Sequence, residues 1–200
     1  LISFFVLVIV YFAFSWGLPW HKIPSTISFS YVFDLLFALG VSFFFRLPWK
    51  FKWDINKQTL KALGEVFALA LGAIGAIWYM DIELPFRLVQ NLEWHLLIFA
   101  PILEELVFRQ TFQRVLIANV GGKRVTSMLV AAIFAFSHLV GLMVLPVEYV
   151  PFIGFQVFYT FVLGVICGQS LLKFHSILAP IGMHFIFNLC FYLALQLEVI

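Results

Sequence analysis

Charged residues are scarce in this chain. Its 12 Lys+Arg and 10 Asp+Glu make up 11% of 200 residues, where soluble domains carry about 25%. A net charge of +2 offers no basic face for nucleic acid. Two cysteines cannot staple a small disulfide scaffold. Internal repeats and low-complexity stretches are missing too, so residues 1–200 read as a single domain rather than a solenoid or a disordered arm. What is abundant is apolar: 64% of the residues are hydrophobic, 26 of them Phe. A soluble globule of this size lacks the interior for that load, because small domains leave much of their surface in water. The remaining class is an all-α, polytopic membrane bundle whose first partner is the lipid bilayer.

A spanning helix takes about 20 residues, and the chain offers seven apolar runs between polar breaks: Leu1–Trp16, Ile27–Phe45, Leu60–Met80, Trp94–Ala118, Val125–Leu145, Phe152–Leu172 and Ile177–Leu197. The runs are continuous rather than alternating, which favours helices over a barrel wall. The first begins inside an apolar stretch without Met, so a truncated N-terminus is expected; no charged n-region or small-residue cleavage site marks a signal peptide. Arg46, Lys50, Lys52, Lys57, Lys61, Arg114, Lys123, Arg124 and Lys173 fall in or beside even-numbered loops, against Lys22 and Arg87 on the other side. By the positive-inside rule, the N-terminus and even loops are cytoplasmic and the C-terminus is outside. Trp16, Trp20, Trp49, Trp53 and Trp94 sit at run ends as interfacial anchors. Gly64, Ala68, Gly72 and Ala76, and separately Gly164 and Gly168, recur every four residues and predict close helix contacts. Cys167 and Cys190 read as small packing groups.

Polar groups inside the runs carry the information, since a central charge costs about 2.5–3.5 kcal/mol on insertion scales. The fourth run contains Glu104, Glu105 and Arg109. Glu105 and Arg109 are i and i+4, one turn apart on the same face, and predict an ion pair with Arg's planar fork on the carboxylate. Glu104 points about 100° away and stays free for chemistry. Pro101, a turn earlier, removes a backbone hydrogen bond. His138 lies in the fifth run; His184 and Asn188 share a face of the seventh. Converging, these side chains would supply a base, a proton relay and hydrogen-bond donors for an oxyanion. Asp34 and Glu65, near run ends, read as carboxylates reaching water or a neighbour, and His21, His95 and His175 as solvated loop-edge residues.

Glu104-Glu105-x-x-x-Arg109, Phe134-x-x-x-His138 and His184-x-x-x-Asn188, in that order on three runs, resemble the CPBP family, the intramembrane CAAX-type endopeptidases and bacteriocin-processing proteins also called Abi. The resemblance covers roughly 94–188. Gln110 departs from it, since many relatives have Gly after the Arg, and is expected to adjust local packing. The resemblance implies a protease acting on a membrane-anchored protein or peptide: a prenylated tail, a bacteriocin leader or a sorting tag. Glu104 would be the general base, His138 would orient the water, His184 and Asn188 would hold the oxyanion, and Glu105 and Arg109 would brace the helix.

Metal dependence stays open on the residues alone. HExxH is absent, but Glu104, His138 and His184 form a conceivable three-ligand zinc set. Asn188 is a poor zinc ligand and a good donor, so the favoured expectation is a glutamate-dependent enzyme without a cofactor. The rival of a different class is a non-enzymatic immunity or scaffold protein with the same fold. A transporter or proton relay through Asp34, Glu65 and the glutamate pair is a third, for which no inverted repeat speaks.

Overall fold

The computed structural model describes residues 1–18, 29–88 and 91–200, with Arg87 and Leu88 by backbone alone. Trp20, His21, Lys22 and the start of the second run lie outside the described residues, as does the Arg87 side chain. All regular structure among the described residues is helical, and each apolar run holds one of seven helices. These are α1 (Ile2–Gly17), α2 (Phe29–Phe44), α3 (Lys57–Tyr79), α4 (92–120), α5 (Lys123–Val144), α6 (Val150–Phe174) and α7 (Leu178–Gln196). Among the described residues four of them, α3, α5, α6 and α7, are long and apolar enough to cross a membrane. The described parts of α1 and α2 are apolar but 16 residues each, about 24 Å at 1.5 Å per residue. α4 has the length, but Glu104, Glu105, Arg109 and Arg114 break its apolar character.

Local chemistry sets the boundaries. The Asn56 side chain accepts from the Gln58 and Thr59 amides at 2.9 and 3.0 Å and so caps α3. Pro151 occupies the first turn of α6, where a missing N–H costs nothing. α2, α3 and α7 are each followed by a left-handed residue, Arg46, Asp81 and Glu198 at φ 49°, 50° and 54°. After each of them the next amide reaches back to a last-turn carbonyl: Leu47 to Ser42, Ile82 to Ile77 and Val199 to Ala194. That closure satisfies orphan carbonyls. Gly121, at φ 74°, ends α4 in the left-handed region without a Cβ penalty, its own amide bonding the Ile117 carbonyl.

α4 is the centre of the bundle, in contact with α1, α2, α5, α6 and α7. Its residues Leu106–Gln113 are all buried, as expected of a helix enclosed on every side. Two apolar clusters flank it. Tyr11, Ala38, Phe108, Phe112 and Phe134 belong to the first, which joins α1, α2, α4 and α5. The second joins α3, α6 and α7 through Val66, Ile77, Leu163, Met183, Phe187 and Phe191. Large apolar side chains such as Phe43, Phe44, Tyr79 and Phe158 face outward, which suits lipid rather than water.

α5 and α6 meet along the Gly164–Gly168 stripe. A Cβ at Gly164 would come within 3.0 Å of the Ala131 Cβ and 3.1 Å of its Cα, so the helices approach as closely as the spacing predicts. The other small-residue stripe behaves differently. Gly64, Ala68 and Gly72 are exposed, and a Cβ at Gly64 or Gly72 would meet nothing within 4 Å. α3 packs instead through Ala62, Val66, Ala70, Ala73 and Ile77. That neighbouring face presents branched side chains to the aromatic residues of α6 and α7, and so buries more apolar area.

Candidate active site

The site is built around α4, whose register changes twice. Residues His95–Phe99 and Leu106–Gln113 form π-helical turns, with the α-helical stretch Ala100–Glu105 between them. In the first, the Ala100 amide bonds the His95 carbonyl, i to i−5. The next amide in that register would serve the Leu96 carbonyl, but residue 101 is proline and has none. Asn188 fills the gap: its Nδ2 donates to the Leu96 carbonyl at 2.8 Å. The proline therefore leaves an orphan acceptor that fixes the Asn188 carboxamide, and one of its two amide protons is already engaged.

Glu105 and Arg109 are both fully buried, with Arg109 Nε 2.9 Å from Glu105 Oε2, an ion pair not aligned as a hydrogen bond. Arg109 Nη2 also donates to the Gly164 carbonyl at 3.3 Å, and its guanidinium lies 4.7 Å from the Phe134 ring centroid. One turn on, Gln113 Nε2 donates to the Gly168 carbonyl at 2.8 Å. The side-chain-free positions of α6 thus expose carbonyls to α4 as well as giving α5 room. Gln110, the departure from the family pattern, is fully buried and donates to the Pro48 carbonyl at 3.2 Å, tying the loop after α2 to α4. Thr111 donates to the Val107 carbonyl within the wide turn.

The second Glu105 oxygen reaches another helix. His184 Nδ1 lies 2.9 Å from Glu105 Oε1, and because the carboxylate accepts, Nδ1 carries the proton. The other ring nitrogen, Nε2, sits 3.9 Å from Glu104 Oε2. His184 thus bridges the two acids, and Glu105 holds both Arg109 and His184 rather than Arg109 alone. On α5 the helix tightens into a 3₁₀ turn at His138–Val140. The His138 amide then bonds Ala135, and the Phe134 carbonyl takes the Ser137 hydroxyl at 2.6 Å and His138 Nδ1 at 3.0 Å. A carbonyl only accepts, so His138 Nδ1 is a protonated nitrogen, and in the neutral ring Nε2 is bare.

Glu104, His138, His184 and Asn188 all line one cavity of about 90 Å³, walled by Leu163, Phe187 and Phe191. The volume suffices for a few waters. Gln156, Tyr159 and Thr160 of α6 line it as well. Sequence reasoning missed all three: they belong to none of the three motifs, and a polar residue in an otherwise apolar run was the only signal. A second polar group lies on α2. Tyr11 donates to Asp34 at 3.0 Å, and the Tyr31 hydroxyl and His95 Nδ1 are 2.6 Å apart. His95 is therefore a partnered residue of α4 and not a solvated loop-edge imidazole; the π turn at its position keeps it on the α2 side. His175 is exposed. Glu65 faces Lys61 at 3.9 Å on the surface.

Among the described residues no group of three or more His, Cys, Asp and Glu side chains is arranged to hold a metal ion. Glu104, His138 and His184 share the cavity wall, and the two rings' Nδ1 atoms are engaged by Phe134 and Glu105, which leaves each Nε2 as the ring nitrogen free of a side-chain or carbonyl hydrogen bond.

Residues 92–190, about half of the chain, match a family model, Rce1-like, described as type II CAAX prenyl endopeptidase Rce1-like. The matched stretch runs from the start of α4 into α7 and contains Glu104, Glu105, Arg109, His138, His184 and Asn188. No curated protein and no solved structure matches the chain.

Proposed function

We propose that this integral membrane protein, whose residues 92–190 belong to the Rce1-like family of type II CAAX prenyl endopeptidases, hydrolyses a peptide bond of a membrane-anchored protein or peptide at the cavity between α4, α5, α6 and α7. A prenylated tail, a bacteriocin leader or a sorting tag are the substrate classes. The observation that carries the reading is the meeting of Glu104, His138, His184 and Asn188 on one cavity wall, from three helices far apart in the chain.

In this mechanism the Glu104 carboxylate takes a proton from a water held against the bare Nε2 of His138, and the water oxygen bonds to the scissile carbonyl carbon. The carbonyl oxygen becomes an oxyanion and accepts from His184 Nε2–H and the unused Asn188 N–H. Collapse breaks the C–N bond as Glu104 returns its proton to the leaving nitrogen. Nε2 donates only when His184 is an imidazolium; its neighbours then make two carboxylates and two cations, which sum to zero charge in a low-dielectric bundle. No step needs a metal. Purified protein is expected to keep its cleavage rate within about twofold after exhaustive chelation, since a general base and an oxyanion site supply the rate on their own. Cleavage lost on chelation and restored by zinc overturns the metal-free mechanism. Binding of tail peptides with no cleavage selects the immunity or scaffold rival.

The same reading places seven spans in the bilayer, with the N-terminus and the even loops cytoplasmic. Cysteines introduced at Gly122 and at Glu148 should then react with an impermeant thiol reagent from opposite sides of sealed vesicles. Labelling of both from one side refutes the topology.

A further inference from the structure

α6 brings three polar side chains to the cavity, and their hydrogen bonds separate them. Thr160 is occupied: its hydroxyl lies 2.7 Å from the Gln156 carbonyl and 3.3 Å from that of Val157. The Gln156 carboxamide and the Tyr159 hydroxyl, by contrast, have no hydrogen-bond partner among the described residues, although Gln156 is half-buried and Tyr159 is buried. At i and i+3 they lie on one face of the helix and line the same cavity as Glu104. Phe187 and Phe191 pack on the Tyr159 ring at 5.5 Å each, fixing it in the wall.

The Gln156 carboxamide, half-buried at the cavity with its donors and its acceptor unused, is open to pairing with a chain that enters there. The substrate brings a suitable partner. An extended peptide entering at membrane depth carries N–H and C=O groups that water no longer satisfies. A primary amide matches a peptide group in both senses, its NH₂ donating to the C=O and its oxygen accepting from the N–H.

We propose that Gln156 is the peptide-backbone clamp of this site, its carboxamide pairing with one peptide group beside the scissile bond, and that the Tyr159 hydroxyl donates to the adjoining carbonyl. The clamp recognises backbone rather than side chains, and it turns the scissile carbonyl toward Glu104. It rests on the endopeptidase reading for its substrate class.

The test uses the full chain in lipid nanodiscs, with a tail peptide and a set of its analogues N-methylated at single positions around the scissile bond. Both cleavage and equilibrium binding by fluorescence anisotropy are followed. Gln156→Leu, and Gln156→Met as a second apolar replacement, are expected to unfold at the parent's midpoint, since Gln156 makes no side-chain hydrogen bond. Each is expected to lower kcat/KM about 10–100-fold, chiefly through KM. The parent should reject the peptide methylated at one particular position, while the two variants should treat it like the unmethylated peptide. That lost discrimination is a readout a merely structural glutamine would not move. If the parent cleaves and both variants match its kcat/KM within twofold, or reject every analogue as the parent does, the clamp is wrong and the endopeptidase reading stands. Binding without cleavage, weakened in both variants, keeps the clamp and removes the endopeptidase. Neither binding nor cleavage removes both.

Discussion

Glu104→Gln is expected to lower the cleavage rate by about 10²–10⁴-fold, the range a positioned general base supplies, with little change in stability. The substitution preserves shape while it removes the carboxylate's charge and with it the ability to take a proton. Glu104 tolerates the change because its carboxylate opens onto the cavity and its nearest cation, His184 Nε2, is 3.9 Å away. Peptide turnover by purified protein is the measurement, with the thermal midpoint as a control for folding. A Glu104→Gln protein that cleaves within tenfold of the parent rate would sink the assignment of the base, whatever family the chain belongs to.

The second large effect concerns stability. Arg109→Ala is expected to destabilise the protein by about 3–5 kcal/mol, the cost of leaving one partner of a buried ion pair uncompensated. Arg109 and Glu105 are both 0% exposed, and Arg109 also holds the Gly164 carbonyl and stacks on Phe134. Removing the guanidinium leaves Glu105 with only His184 to balance it. The comparison that isolates this cause is the double variant Glu105→Leu with Arg109→Met, which removes both charges and keeps the volume. It should recover a large part of the lost stability in thermal unfolding of detergent-solubilised protein. A double variant as unstable as Arg109→Ala shows that packing, and not the stranded carboxylate, sets the loss.

Much of this was legible before any coordinates. The seven runs fall on seven helices because continuous apolar stretches of helical length have few other solutions in lipid. The Glu105–Arg109 pair follows from i, i+4 geometry and survives even where α4 widens. Other features depend on long-range partners and leave no local trace. The π turns that flank Ala100–Glu105 are invisible to a 3.6-residue period. Asn188 was expected as an oxyanion donor, yet one of its protons serves the Leu96 carbonyl, and that follows only once Pro101 is seen in a π register. The exposed Gly64–Gly72 stripe shows the limit of spacing rules: α3 carries two faces that recur every four residues, and the choice between them is made by the aromatic residues of α6 and α7. Gln156 and Tyr159 carry neither charge nor imidazole, and a neutral polar group in an apolar run announces itself only by lacking a partner.

The two contacts of Glu105 separate in time as the chain is made. Arg109 follows it by four residues, so the pair can close within a single helix without any other part of the chain. His184 lies 79 residues further on and is synthesised only after α5 and α6. The cavity is thus completed only by the arrival of α7, and a nascent chain stalled before that point carries its acids without the ring that bridges them. A chain that ends before α7 therefore lacks both His184 and Asn188, which line the cavity with Glu104 and His138.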